Sequence, residues 1–144
     1  MTRVADVMTP GVETTTSSEA LRDAARTMRK GDFGAMPVVD DGRLVGMLTD
    51  RDIVVRAVAE GLDPMSARVG DVASPSPVAV APDQDLDEAM ELMAEYRVRR
   101  LPVVDGERLV GVVSQADVAL EANEKKTGSV VQEISEPSSV PRET

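Results

Sequence analysis

Hydrophobic positions along the chain follow a helix-then-hairpin pattern that occurs twice. Apolar residues starting at Leu21 recur at the i, i+3, i+4, i+7 spacing of a helix with one buried face, and those starting at Leu86 repeat that spacing. Ser17 or Ser18 is the predicted N-cap of the first helix, and Asp83 that of the second. Each helix precedes two β-rich runs separated by a polar turn, which predicts a hairpin. The hairpin strands are predicted at 36–39 and 44–48, and at 101–104 and 109–113.

A short strand before each helix and a second helix after each hairpin complete the predicted unit. The short strands are expected at 12–15 and 78–80. The second helix of the first unit is expected over 50–60, where Gly61 stops it, and its counterpart from about 115 to 123. Each unit therefore reads strand, helix, strand, strand, helix.

Sliding the chain by 65 residues superimposes the two units. Over positions 6–53 the shift gives 15 identities without a gap, where unrelated stretches would give about three. We therefore divide the chain into repeat 1 (1–64), repeat 2 (65–123) and a polar tail (124–144) that has a short helical pattern at 128–135. Neither repeat alone is large enough to bury the apolar surface that a stable fold requires. The expected fold is mixed α+β, with two βαββα repeats packed as a pseudo-twofold pair.

The amino-acid composition excludes several classes of metal site and enzyme. The chain has 26 acidic and 16 basic residues, a net charge of −10, and neither histidine nor cysteine. The usual ligands of zinc, haem and iron–sulfur sites are therefore missing, as are required members of Ser-His-Asp and cysteine hydrolases. No general base with a neutral-range pKa accompanies a nucleophile in any motif, so we expect neither an enzyme nor a metal site.

Charge and hydropathy also exclude classes of partner. An acidic chain whose only aromatic residues are Phe33 and Tyr96 offers little to a phosphate backbone or to stacked bases. Its apolar runs fall short of the roughly 20 residues that cross a bilayer, and its first residues lack a signal-peptide core. We therefore expect a cytoplasmic protein that binds neither nucleic acid nor membrane.

Two matching segments resemble the CBS domain family. Residues 44–53 read LVGMLTDRDI and residues 109–118 read LVGVVSQADV, and both fit glycine, two mostly apolar residues, Thr or Ser, two residues of any type, then Asp. A hydrophobic-Pro-Val-Val-Asp segment precedes each. The resemblance covers about residues 4–120 in the order of a tandem CBS pair, a Bateman module. The whole chain is similar to short, stand-alone two-CBS proteins of actinobacteria, including the hypoxic-response type.

The resemblance implies a regulatory sensor without a covalent cofactor. CBS pairs bind adenosyl ligands such as AMP, ADP, ATP, NAD or S-adenosylmethionine in two clefts between the repeats, and they usually form disc-shaped homodimers. Such a module would signal to a regulated partner protein. The alternative is a stress-response interaction protein that binds a partner without any nucleotide. An enzyme acting directly on nucleotides ranks below both.

Carried over by motif, the resemblance assigns two sets of ligand-binding residues. Cleft 1 takes Met47, Thr49, Arg51, Asp52, Pro77, Val78, Arg97, Val98 and Arg99. Cleft 2 takes Val12, Glu13, Phe33, Gly34, Val112, Ser114 and Asp117.

The key polar residues have two interpretations. Asp52 and Asp117 would hold ribose hydroxyls, although acids in a first helical turn also complement the helix dipole. Thr49 and Ser114 serve as N-caps, as phosphate contacts, or as both. Phe33 is interpreted as a core or lid residue.

The two predicted clefts differ in charge. Cleft 1 gathers Arg51, Arg97 and Arg99, whereas cleft 2 has Ala116, Asp32 and Gly34 at the matching positions. We hypothesise that a charged nucleotide prefers cleft 1, while cleft 2 stays empty or takes a less anionic adenosyl compound. Arginines on a solvated strand edge are the alternative.

The two predicted helices starting at Leu21 and Leu86 also differ in charge. The first carries Arg22, Arg26 and Arg29, and the second Glu88, Glu91 and Glu95. Opposite charges suit a head-to-tail meeting of these helices, and solvated faces explain the pattern equally well.

Overall fold

The computed structural model describes residues 1–75 and 78–122, and it confirms the mixed α+β fold. In the first half the elements are α1 (Val4–Val7), α2 (Leu21–Gly31), β1 (Ala35–Asp40), β2 (Arg43–Thr49) and α3 (Asp50–Asp52), which continues as a π-helix (Ile53–Val58). In the second half they are α4 (Val69–Val72), β3 (Ser74–Pro75), α5 (Leu86–Tyr96), β4 (Arg100–Asp105), β5 (Arg108–Ser114) and α6, residues 115–122.

The two hairpins match each other residue by residue. Strand β1 pairs with β2 and β4 with β5, both antiparallel and both with a register shift at the second valine of the Pro-Val-Val run. The hairpins meet at their turns, where Arg43 pairs with Arg108 and its guanidinium lies 3.0 Å from the Glu107 carboxylate. Both side chains of this ion pair are exposed, so it links the hairpins with little effect on stability.

The short strands predicted at 12–15 and 78–80 are wrong in extent, because each is a single-residue bridge. Thr15 pairs in parallel with Val38, and Val80 with Val103. Proline limits both bridges: the N–H that would extend the parallel ladder backwards belongs to Pro37 or Pro102, which have none.

A serine stops the first bridge on its other side. The backbone N–H of Ser17 donates to the Asp40 carboxylate at 3.0 Å instead of continuing the ladder, and the Ser17 hydroxyl donates to it at 2.6 Å. Both hydrogen bonds lower the pKa of Asp40 below its usual value, and the bond from the Ser17 hydroxyl has the larger effect. Asp40 thus remains an ionised anchor for the chain entering α2.

The predicted N-caps are also wrong. Helix α2 begins after Ala20, and carbonyls of the inter-repeat segment accept its first N–H groups, so it needs no side-chain cap. The N–H of Leu21 donates to Ala67 at 2.9 Å, and the next N–H donates to Pro64 at 3.0 Å. Helix α5 is capped by Asp85 rather than Asp83.

The helix predicted over 50–60 does run to that neighbourhood, but most of it is π-helical. At its end the Leu62 N–H donates to the Ala57 carbonyl. Gly61 adopts the left-handed backbone conformation expected where a helix stops. The wider π turn has no signature in the sequence pattern. The tail helix predicted at 128–135 lies outside the described residues. Within residues 1–75 and 78–122, no helix is both long enough and apolar enough to cross a bilayer.

The described residues form two hydrophobic cores, and each core contains a short helix from the other half of the sequence. Val4 of α1 is fully buried in the core built on α5, β4 and β5. Val69 and Val72 of α4 are fully buried in the core built on α2, β1 and β2. We call the chain segments that contain α1 and α4 the lead segments of the two halves. Backbone hydrogen bonds tie them to these cores, since the Val4 N–H donates to the Gln84 carbonyl and the Val69 N–H to the Glu19 carbonyl. The two repeats are therefore interlocked rather than merely stacked.

Candidate functional site

A cleft of about 340 Å³ opens between the two halves of the molecule. Six of the seven residues assigned to cleft 2 line it. The seventh, Gly34, is not among the lining residues, and its carbonyl accepts the Asp50 N–H at 2.9 Å. The lining residues are Thr9, Val12, Glu13, Phe33, Ala35, Pro37, Met47, Arg100, Val112, Ser114 and Asp117.

The polar end of the cleft is held by a reciprocal pair at the start of α6. The Ser114 N–H donates to Oδ2 of Asp117 at 3.1 Å, and the Asp117 N–H donates back to the Ser114 hydroxyl at 3.1 Å. Oδ1 of Asp117 accepts no hydrogen bond from the described residues. Capping and ligand contact are thus compatible in one residue, since one carboxylate oxygen anchors the helix start and Asp117 also lines the cleft.

The lead segment of the first half forms one wall of the cleft. Thr9 pairs with Val112, exchanging N–H to carbonyl bonds of 2.8 and 3.0 Å. This pairing requires a very close approach, since a Cβ added at Gly111 would lie 2.9 Å from the Thr9 carbonyl oxygen. Gly46, at the matching position of β2, is crowded in the same way by the Ser74 carbonyl at 2.6 Å.

The residues assigned to cleft 1 show the same local geometry at their own helix start. The Thr49 N–H donates to Oδ2 of Asp52 at 3.0 Å, and the Asp52 N–H donates to the Thr49 hydroxyl at 3.0 Å. Arg51, beside this pair, is exposed. Pro77 lies outside the described residues. Met47 lines the cleft described above, which places it at the border between the two predicted sites.

The remaining cleft 1 residues flank β4. Arg97, Val98 and Arg99 form the exposed connection from α5, and the Arg99 carbonyl accepts the Gln115 N–H at 2.8 Å, just as Gly34 accepts that of Asp50. Val78, which is partly buried, packs against the second core. At the start of α3 the structure therefore repeats the hydrogen-bond framework that it shows at the start of α6.

Arg100 was missed by motif transfer, and it supplies cleft 2 with a cation at a position other than those that match Arg51, Arg97 and Arg99. It occupies the first position of β4, directly opposite Ser114 in the strand register, which is a signal that the hairpin pattern already contained. Thr9 was missed for another reason: nothing in the pattern shows that the first repeat's lead segment crosses to the second.

The cleft remains net negative despite that cation. Glu13 and Asp117 supply two carboxylates against one guanidinium, and no ion pair within 4 Å joins Arg100 to either of them in the described structure. A phosphate would meet one cation and two anions here, whereas a ligand without phosphate avoids that repulsion.

Across residues 1–75 and 78–122, no group of three or more Asp and Glu side chains is placed to hold a metal ion. The whole chain also lacks histidine and cysteine, which zinc sites commonly use.

Comparison with known proteins gives a consistent result. A family model described as "CBS domain" matches residues 4–58 and 69–124. Hypoxic response protein 1 of Mycobacterium tuberculosis is 43% identical over 138 residues, covering 95% of this chain and 96% of that protein. A crystal structure of Hypoxic Response Protein I with two coordinated zinc ions superimposes with a TM-score of 0.77 at 44% identity, covering 83% and 98% of the two chains.

Two further solved structures contain nucleoside ligands. CBSX2 from Arabidopsis thaliana, in complex with AMP, has a TM-score of 0.77 at 30% identity and covers 86% of this chain and 98% of its own. The CBS domain pair of protein MJ0100, in complex with 5′-methylthioadenosine and S-adenosyl-L-methionine, has a TM-score of 0.76 at 27% identity and the same coverages.

Proposed function

This chain belongs to the CBS domain family, with two copies in tandem, and we propose that it is a regulatory module that binds an adenosyl ligand between its repeats. The ligand class comes from AMP, ADP, ATP, NAD and S-adenosylmethionine, without a covalent cofactor and without catalysis. The module acts as a homodimer in the cytoplasm and signals to a regulated partner protein. Binding changes the partner's response only through different ligand affinities of two states of the module.

The observation that carries this proposal is the placement of Asp117. Its anchored carboxylate leaves Oδ1 available in a cleft of about 340 Å³, where it can accept hydrogen bonds from ribose hydroxyls. Apolar residues such as Val12, Met47 and Val112 offer the rest of the wall to a purine ring. Asp52 has the same hydrogen bonds at the other helix start and takes the equivalent role.

Charge supports a division of labour between the two sites. Arg51, Arg97 and Arg99 favour an anionic nucleotide in cleft 1. Glu13 and Asp117, with Arg100 alone against them, favour a less anionic adenosyl compound in cleft 2. The AMP complex of CBSX2 and the S-adenosylmethionine complex of MJ0100 show that structural relatives take both kinds of ligand.

Thermal melting with millimolar AMP, ADP, ATP, NAD and S-adenosylmethionine tests the proposal. A ligand at about 100 times its dissociation constant adds roughly 2.7 kcal/mol of stability, which for a chain of this size raises Tm by about 5–10 °C. Asp52→Ala is expected to abolish most of the AMP-dependent rise. Asp117→Ala is expected to abolish most of the rise with S-adenosylmethionine, because each variant removes the ribose acceptor of one cleft.

Asp23→Ala provides the matched control, since Asp23 is an exposed first-turn acid on α2, away from the cleft. It should keep both ligand-dependent rises, and each rise is compared with the same variant without ligand because losing a cap lowers Tm by itself. Equal loss of the AMP effect in both cleft variants would contradict the division of labour. A flat panel would contradict adenosyl binding and favour the partner-binding protein that uses no nucleotide.

A further inference from the structure

The segment that follows α2 differs in charge from its counterpart after α5. The 65-residue shift places residues 32–34, which read Asp-Phe-Gly, on residues 97–99, which read Arg-Val-Arg. The first residue of each segment, Asp32 or Arg97, ends its helix in the same left-handed conformation, with φ of 56° and 55°. The two segments thus leave their helices in the same way and differ in charge, since one anion in the first half replaces two cations in the second.

A carboxylate occupies the place where the side chain matching Arg99 would begin. Gly34 stands at that position, and a Cβ added to it would lie 2.7 Å from an oxygen of the Asp50 side chain. The same shift places Asp50 on Gln115, which is neutral. A side chain at position 34 would therefore displace Asp50, and negative charge lies next to Phe33, which lines the cleft.

Within the cleft, the Glu13 carboxylate has no cationic partner among the described residues. Its side chain is exposed, and neither ion pair found in residues 1–75 and 78–122 includes it. Asp117 is bound to its own helix start and, in the proposed function, to ribose hydroxyls. Arg100 is the one guanidinium in the described lining. Glu13 is therefore the lining carboxylate that remains available for a positive charge on a ligand.

Phe33 adds an aromatic ring to the same cleft. The ring packs against Gly31, where an added Cβ would overlap it, and the Phe33 N–H donates to the Met28 carbonyl at 3.1 Å. The end of α2 and the first core, which Phe33 also contacts, therefore hold the ring in position. An aromatic ring attracts a ligand cation, as a carboxylate does. Val98, at the matching position of repeat 2, has no such ring.

We propose that cleft 2 selects an adenosyl compound with a positively charged sulfur, S-adenosylmethionine, over its neutral thioether counterpart, S-adenosylhomocysteine. Glu13 and Phe33 determine this selectivity. It rests on the proposed function, which supplies the adenosyl site, and it adds the ligand group that distinguishes one adenosyl compound from another. The two compounds have the same adenine, ribose and amino-acid moieties, so the hydrogen bonds of Asp117 to ribose contribute equally to both. The discrimination therefore depends on the charge at sulfur.

This charge reports a chemical event. When a methyl acceptor attacks the methyl carbon of S-adenosylmethionine, the electron pair of the S–C bond stays on sulfur, and the sulfonium becomes a neutral thioether. A site that requires the positive charge is filled by the methyl donor and is left by the product of methyl transfer. The module would then signal the supply of methyl donor to its partner.

Calorimetric titration of Asp52→Ala with the two sulfur compounds tests the selectivity, because this variant removes the ribose acceptor of cleft 1 and keeps that of cleft 2. We expect S-adenosylmethionine to bind at least about tenfold more tightly than S-adenosylhomocysteine. Glu13→Gln in the same background removes the charge and keeps the size of the side chain. It is expected to weaken S-adenosylmethionine about tenfold and to change S-adenosylhomocysteine by less than about twofold. Phe33→Leu should lower the ratio of the two dissociation constants about threefold.

Glu60→Gln is the matched control, since Glu60 is exposed and lies outside the cleft lining. It should leave both dissociation constants within about twofold of their values in Asp52→Ala. Glu13→Lys provides the opposite test, because the cleft lining then has two cations against one carboxylate. We expect AMP to bind this variant at least about tenfold more tightly than it binds Asp52→Ala alone.

The outcomes separate the selectivity from the proposed function. Equal binding of the two sulfur compounds to Asp52→Ala would overturn the selectivity and leave the adenosyl site intact. A preference that persists in both Glu13→Gln and Phe33→Leu would overturn the assignment to these residues. Binding of neither compound to Asp52→Ala, with its fold confirmed by circular dichroism, would contradict the proposed function at cleft 2 and the selectivity with it.

Discussion

Val69→Asp is expected to unfold the half of the molecule built on the first hairpin, although Val69 belongs to the second repeat of the sequence. Its side chain is fully buried in the core with Leu21 and Leu48. The substitution removes an apolar side chain and places a carboxylate among residues that cannot pair with it, which costs several kcal/mol. Since a domain of this kind is stable by only about 5–15 kcal/mol, we expect Tm to fall by at least about 10 °C.

Hydrogen exchange identifies which core is lost. In Val69→Asp, amides of β1 and β2 should exchange faster than those of β4 and β5, because α4 completes the first core. Val4→Asp should produce the opposite pattern, since Val4 is buried in the second core. Val45→Asp, the same substitution at a position 39% exposed on β2, should cost about 1 kcal/mol or less. If the amides of β4 and β5 exchanged faster than those of β1 and β2 in Val69→Asp, the packing of α4 on the first core would be contradicted.

The repeated hairpins could be predicted from sequence because their signal is local. The alternation of apolar residues and the polar turn lie within short windows, and the 65-residue repeat displays the same local pattern twice. Strands β1, β2, β4 and β5 form where this pattern places them. Helices α1 and α4 could not be assigned to their cores in this way. Val4 and Val69 contact residues far along the chain, and no local pattern states which of two similar cores receives a four-residue helix.

The errors at the helix starts have the same origin. Serine is a favoured N-cap residue, yet the Ser17 hydroxyl and N–H both donate to the carboxylate of Asp40, 23 residues away. The N–H of Leu21 is then satisfied by the Ala67 carbonyl. Local propensity was outweighed by two long-range contacts, which a single sequence does not display.

The described cleft could be predicted in part because its motif is local and duplicated. Ser114 and Asp117 form their reciprocal hydrogen bonds within one helix start, and the motif locates both. Arg100 and Thr9 enter the same cleft through strand register and through the exchanged lead segment. The motif therefore gave no indication of Arg100, which adds a cation to cleft 2.

Gly111→Ala is expected to damage stability and ligand binding together, because Gly111 lies where the exchanged segment meets the cleft. The added Cβ would lie 2.9 Å from the Thr9 carbonyl oxygen and 3.0 Å from Met8 Sδ. The lead segment must then move away from β5, which breaks the two hydrogen bonds between Thr9 and Val112. Overpacking of this kind costs about 1–3 kcal/mol. Since both Thr9 and Val112 line the cleft, we also expect the rise in Tm with S-adenosylmethionine to fall by at least half.

Gly106→Asn separates this effect from the general cost of replacing a glycine. Gly106 lies in the turn between β4 and β5 with no atom close to an added Cβ, and asparagine tolerates its left-handed backbone. It should therefore keep the ligand-dependent rise in Tm. If Gly111→Ala lowered Tm but kept the full rise, the lead segment would support the fold without shaping the cleft. If it changed neither quantity, the close approach of Thr9 to β5 would itself be contradicted, and with it the interlocking of the repeats on which the shape of the cleft depends.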